Sequence, residues 1–202
     1  MDNNDPLKDL TEHLEMVKYY DKIEETLKNT KTSIEEGSDD HKFFFYALNG
    51  CISLVNALIT KVRVTEESKE FIIEIGKLVG LMMAHVQGVD KTDYKLIRNY
   101  DEVEEEYKEP SKKEHEKAAK EVKESLNIKT AIKKDSKEYK LFSRILGTIN
   151  FCYSEIFNSV QRKLKKKEFD YFQNIGQLVN ILCDHIQGND MSQYNINSIS
   201  DI

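Results

Sequence analysis

Four stretches of the chain place apolar side chains every three or four positions. The first runs through Phe44, Ala47, Leu48, Cys51, Val55, Leu58, Ile59 and Val62, and the second through Phe71, Ile75, Leu78, Val79, Met82 and Val86. The third and fourth answer them with Phe142, Ile145, Leu146, Ile149, Tyr153, Ile156, Phe157 and Val160, then Tyr171, Ile175, Leu178, Val179, Leu182 and Ile186. Spacing of this kind predicts amphipathic helices, and no segment alternates as a half-buried strand would. The expected fold class is all-α.

Cap residues bound these helices. Ser38, Thr65 and Ser136 stand where a helix-starting hydroxyl belongs, and Gly88 and Gly188 directly follow the last periodic residues. The predicted helices cover about 38–62, 66–87, 137–163 and 167–187. A more polar pattern precedes each pair. It runs over about 7–28, through Leu7, Leu10, Leu14, Val17, Tyr20 and Ile23, and over about 111–127, through Ala118, Ala119, Val122 and Leu126. Pro6 and Pro110 precede these two segments, where a first-turn proline is tolerated.

The halves resemble each other in residues as well as phase. At an offset of 100, residues 75–94 match 175–194 at 9 of 20 positions, and at an offset of 98, residues 29–62 match 127–160 at 9 of 34. The expectation is a tandem duplication of a three-helix unit of roughly 95–100 residues. Repeat 1 covers 1–100, an acidic linker "DEVEEEYKEP" covers 101–110, and repeat 2 covers 111–202. Each unit's second and third helices show one strong apolar stripe. Two such hairpins packed face to face would form a pseudo-twofold four-helix core in one contiguous globular domain, with the first helices outside. Gly76 and Gly176, both mid-helix, suggest a close helix crossing, since glycine there costs about 1 kcal/mol relative to alanine.

Composition narrows the class. With 39% apolar and 33% charged residues the chain suits a helical protein with a real core better than a disordered one. Cys51, Cys152 and Cys183 lie far apart in apolar segments and read as reduced core residues. The N-terminal "MDNNDPLKDL" is acidic, unlike a signal peptide. The apolar run considered as a membrane candidate, "IGKLVGLMMAHV", is short and contains Lys77, so no membrane insertion is expected. A cytoplasmic location follows, in the host cytoplasm if a virus or plasmid encodes the chain.

Candidate chemistry centres on a phrase written twice, His-x-Gln-Gly-x-Asp-x-x-x-Tyr, at His85–Tyr94 and His185–Tyr194. Its plain reading is a helix ending: histidine favours the C-terminal dipole and can donate to free carbonyls, glycine stops the helix, and Asp90 or Asp190 serves the turn. Its functional reading is a pseudo-symmetric site built from His85, Gln87, Tyr94, His185, Gln187 and Tyr194. Two histidines without carboxylates or thiolates nearby make a poor transition-metal site, so no metal and no cofactor is expected. No Glu-x-x-His for a di-iron bundle occurs, nor any glycine-rich phosphate loop, Gly-x-Ser-x-Gly or Cys-x-x-Cys. The arginine–histidine pairing of all-helical HEPN nucleases is also missing. No catalytic residue is assigned, and the chain is not expected to be an enzyme.

Charge is uneven although the total is only −6. Residues 111–170 carry 16 basic and 9 acidic side chains, densest at Arg162, Lys163, Lys165, Lys166 and Lys167. That candidate patch could meet nucleic acid or an anionic surface, but no aromatic residues interleave its lysines. The expected function is therefore a non-enzymatic helical scaffold, an adaptor, inhibitor or assembly component that acts through protein–protein contacts. A protein partner or a second copy in a homodimer would dock on it. Binding to nucleic acid or an anionic surface through the basic 111–170 region is the alternative, with a metal or small-ligand site shared by the two repeats ranked behind it.

Overall fold

In the computed structural model the described residues are 22–88 and 111–194, without 24, 28, 63 and 161–163. They fold into α1 (Asp39–Lys61), α2 (Glu66–Val86), α3 (Lys112–Glu124), α4 (Lys137–Val160) and α5 (Lys166–Gln187). Residues 22–23 and 25–27 are helical as well, and there is no strand among the described residues. The predicted first helix over 7–21 and the linker 101–110 lie outside them.

The caps form where the hydroxyls stand. Ser38 and Ser136 Oγ accept from the amides of His41 at 3.1 Å and Tyr139 at 3.0 Å, and Thr65 Oγ1 accepts from Ser68 N at 3.2 Å. α5 lacks such a hydroxyl; Glu168 reaches back instead to accept from Lys165 N at 2.6 Å. Gly88 and Gly188 take φ of 64° and 73°, the left-handed stop that glycine tolerates. α3 ends three residues earlier than its pattern suggests. Ser125 N is shared between the Glu121 and Val122 carbonyls, and Leu126 N turns to Lys123 O, a tightened last turn.

α1 packs against α2 and α5, and α4 packs against the same two helices, so the two hairpins close a ring of four. One apolar cluster fills it, with Phe44, Leu48, Ile75 and Met82 from the first half beside Phe142, Ile145, Ile175 and Leu182 from the second. Gly176 faces Tyr153, whose hydroxyl lies 3.0 Å from where a Cβ would stand, so this glycine makes room for a side chain.

Two expectations change. The described parts of the two first helices, the end at 25–27 and α3, are not left outside on their own halves. α3, from the second half, packs on α1 of the first. The end of the first helix, with Thr26, Asn29 and Thr30, borders a groove with Lys137, Lys140 and Arg144 of α4. Ile23, Leu27, Val122 and Leu126 are all buried in the shared core, so neither described segment is a free docking helix. The second change concerns membranes. α1 is long and apolar enough to cross one by length and composition, because Phe43–Thr60 carries no charge. Eleven of its residues, from Asp40 to Ile59, are buried against the other helices.

Candidate functional site

The ring of four helices brings the start of each half's second helix to the end of the other half's third helix. Asp40 is the second residue of α1 and Glu138 the second residue of α4. Acidic groups favour a helix N-terminus and histidine a C-terminus, so both ends suit the charges they carry. His85, in the last turn of α2, places Nε2 2.8 Å from Glu138 Oε1. His185, in the last turn of α5, places Nε2 2.5 Å from Asp40 Oδ1. Both imidazoles are 1% exposed. Each pair joins one half to the other, and the two pairs cross.

The loops before α1 and α4 complete the shells, again reciprocally. Glu138 accepts from Ser33 N at 3.1 Å, from Thr32 Oγ1 at 3.1 Å and from Ser33 Oγ. Asp40 accepts from Ala131 N at 2.7 Å, with Thr130 Oγ1 more distant at 3.5 Å. Thr32 and Thr130 also accept from Ile34 N and Ile132 N at 3.2 Å each, which curls both loops the same way. Downstream of the curl Gly37 takes φ 77° and Asp135 φ 64°, one residue before each serine cap. Lys-Thr-x-Ile-x-x-x-Ser, at 31–38 and 129–136, is thus a loop that hands donors to the other half's carboxylate.

These donors decide the chemistry. Every partner just named donates to the carboxylates, so Nε2 is the protonated nitrogen of each imidazole. Burial alone would push Glu138 up. The His85 and Ser33 hydrogen bonds and the attraction of the imidazole outweigh it, so the carboxyl sits below its ordinary range. His185 Nδ1 is buried without a partner, which an acceptor nitrogen tolerates better than an N–H would. Between the pairs lie two phenylalanines. Phe142 meets His85 edge-on at 5.4 Å, Phe44 meets His185 edge-on at 5.2 Å, and the two phenyl rings contact each other at 5.7 Å. Phe43 stacks on His185 at 3.9 Å.

Among the described residues, the candidate pseudo-symmetric site of the repeated phrase does not assemble. His85 and His185 turn inward, each held by its own carboxylate across the phenylalanine pair, whereas Gln87 and Gln187 are exposed. Gln187 Oε1 accepts from Asn189 in its own turn. Tyr194 donates to Asp184 at 2.5 Å, and Tyr94 lies outside the described residues. The helix-ending reading is right for Gly188 and for Asp190, which caps Ser192 N at 2.9 Å. The histidines stand in the last turn, as that reading has it, and their Nε2 atoms serve the other half's carboxylates. Among the described residues no group of three His, Cys, Asp or Glu could hold a metal.

The carboxylates escaped sequence reasoning because Asp40 and Glu138 are equivalent but not identical, so a count of identities passes over them. Their shared position, two residues after a serine cap, is the signal that could have found them. Glu138 stands between Ser33 Oγ and His85, so the hydroxyl is not offered to the imidazole for activation. The thiols are equally withdrawn. Burial pushes Cys51 and Cys152 up to about 12, Cys152 with help from the Glu74 charge. Burial and the Asp184 charge also raise Cys183, which is half-buried. Of the basic patch, Lys165, Lys166 and Lys167 are exposed at the start of α5, and Arg162 and Lys163 lie outside the described residues.

No family model, characterised protein or solved structure matches the chain. Its two crossed pairs are clasps.

Proposed function

We propose that the chain is a non-enzymatic helical scaffold that works through protein–protein contacts, built by tandem duplication of a three-helix unit. One observation carries the first part: among the described residues, the two buried histidines and their carboxylates are spent holding the halves together. Both imidazoles, both partner carboxylates and two thiols are buried, and the histidines bind across the seam. A protein whose reactive groups brace its core acts through its surface. That surface offers Phe151, 57% exposed and edge-on to Phe71, as an apolar contact on the α2–α4 side. The duplication is supported by equivalent residues making equivalent contacts in opposite halves, and the swapped clasps are what two copies of one unit would form as a dimer.

The test is affinity capture from the native source, followed by reconstitution with purified components. A partner, or a second copy of the chain, that rebinds at fixed stoichiometry supports the reading. Repeated captures that yield none count against it. A second reading, binding to nucleic acid or an anionic surface, is favoured by exposed Lys165, Lys166 and Lys167. It requires affinity that falls steeply with salt and vanishes when Lys163, Lys165, Lys166 and Lys167 become glutamate. Salt-insensitive binding removes it.

A further inference from the structure

The outer side of the α4–α5 hairpin carries a groove of about 1030 Å³ that the clasps do not use. Along α5 its wall is a stripe with one residue per helical turn: Lys166, Asp170, Gln173, Gln177 and Asn180. Asn150 and Tyr153 of α4 face them, and Tyr194, tied to Asp184, closes one end. Gly176 opens the floor, where only Tyr153 approaches. Beside it lies Asn174, 3% exposed, whose Nδ2 has no hydrogen-bond partner although it lines the groove. A buried N–H of this kind is costly to leave unpaired.

The corresponding positions of the first half are Glu66, Glu70, Ile73, Lys77 and Gly80, with Glu74 opposite Asn174 and Ile52 opposite Asn150. The carboxamide stripe therefore belongs to the second half alone.

Carboxamides both donate and accept, as main-chain amides do. From Lys166 to Asn180 the stripe is about 21 Å long at the helical rise of about 1.5 Å per residue. An extended chain covers that length in roughly six residues. Lys166 and Lys167 give one end positive charge. A nucleic-acid strand fits less well. Asp170 sits mid-stripe, the whole chain carries −6, and the Tyr153 ring is already stacked on Phe157 at 6.2 Å and 12°.

We propose that this groove binds an extended segment of a partner polypeptide, its main chain held by Gln173, Asn180 and Asn174, and an acidic side chain at one end resting on Lys166 and Lys167. The proposal rests on the interaction reading above and names the partner's form.

The test selects a displayed library of random octapeptides against the full-length protein and measures the enriched peptides by fluorescence anisotropy. Enriched peptides carry Asp or Glu toward one end. Their affinity falls at least tenfold in Gln173→Ala/Asn180→Ala and in Lys166→Glu/Lys167→Glu, and changes less than twofold in Lys134→Ala, which is exposed outside the groove. Gln173, Asn180, Lys166 and Lys167 are exposed, so unchanged melting curves show that the variants fold. The proposal is overturned if no peptide is enriched, if binding survives both double variants, or if a labelled twelve-residue oligothymidylate binds the groove in place of peptides. A native partner captured equally by Gln173→Ala/Asn180→Ala removes the groove and leaves the interaction reading standing. Loss of both peptide and partner binding in the unaltered protein removes both.

Discussion

Glu138 shows how much one buried side chain can carry in this protein. It takes hydrogen bonds from His85, Ser33 and Thr32 at the seam between the halves. Removing one partner of such a buried pair costs about 3–5 kcal/mol. Because its folded pKa lies below the ordinary value of 4.5, the stability it adds is present above that pH and is lost as pH falls through the depressed value. Urea titrations at pH 7 and at pH 3.5 should therefore show a steep acid loss in the native chain. Glu138→Gln should be weaker at pH 7 and lose less on acidification; an equal acid loss in the variant would remove the assignment. A second residue-scale prediction concerns the turn before each cap. Left-handed backbone costs an ordinary residue about 1–2 kcal/mol. Gly37→Ala should lower stability by about 1 kcal/mol although open space surrounds it, and Asp135→Gly should raise it by a smaller amount, both read from chemical denaturation.

At the scale of elements, helices α1 and α4 owe their order to both of their ends and to a partner beyond their own half. Their serine caps are local, but the acidic group two residues further on is anchored by the opposite half's loop and histidine. Thiol access reports this packing without any substitution. With Cys51 and Cys152 buried and pushed up to about 12, only half-buried Cys183 on α5 should react with an aromatic disulfide reagent at pH 8 in the folded state, and slowly, because its thiol is raised too. The other two should follow at the rate of unfolding. Rapid reaction of all three would mean that the ring of four helices opens easily.

For the whole molecule, the crossing of the clasps predicts a single cooperative transition. His85 belongs to the first half and Glu138 to the second, and His185 and Asp40 reverse the order. α3 lies on α1 in the same crossed sense. Neither half then has its own complete shell, so calorimetric and van't Hoff enthalpies should agree. Weakening one clasp with His85→Asn should raise hydrogen exchange in α4 as well as α2. Two separate melting steps, or exchange confined to the first half, would show independent units.

Much of this was legible in the chain. The 3.6-residue periodicity determined the helices of the core, and Ser38, Thr65, Ser136, Gly88 and Gly188 marked their ends, because caps and amphipathic stripes depend on near neighbours. The likeness of the two halves was equally visible. Only the tertiary structure decided where the first helices go and what His85 and His185 face. Those contacts join residues 53 and 145 positions apart, a separation at which local propensity carries no information. A histidine at a helix end satisfies the dipole rule whether it donates to its own carbonyls or to another helix's carboxylate. What separates the two is which helix N-terminus arrives beside it, and that is settled when the apolar stripes of two hairpins bury each other.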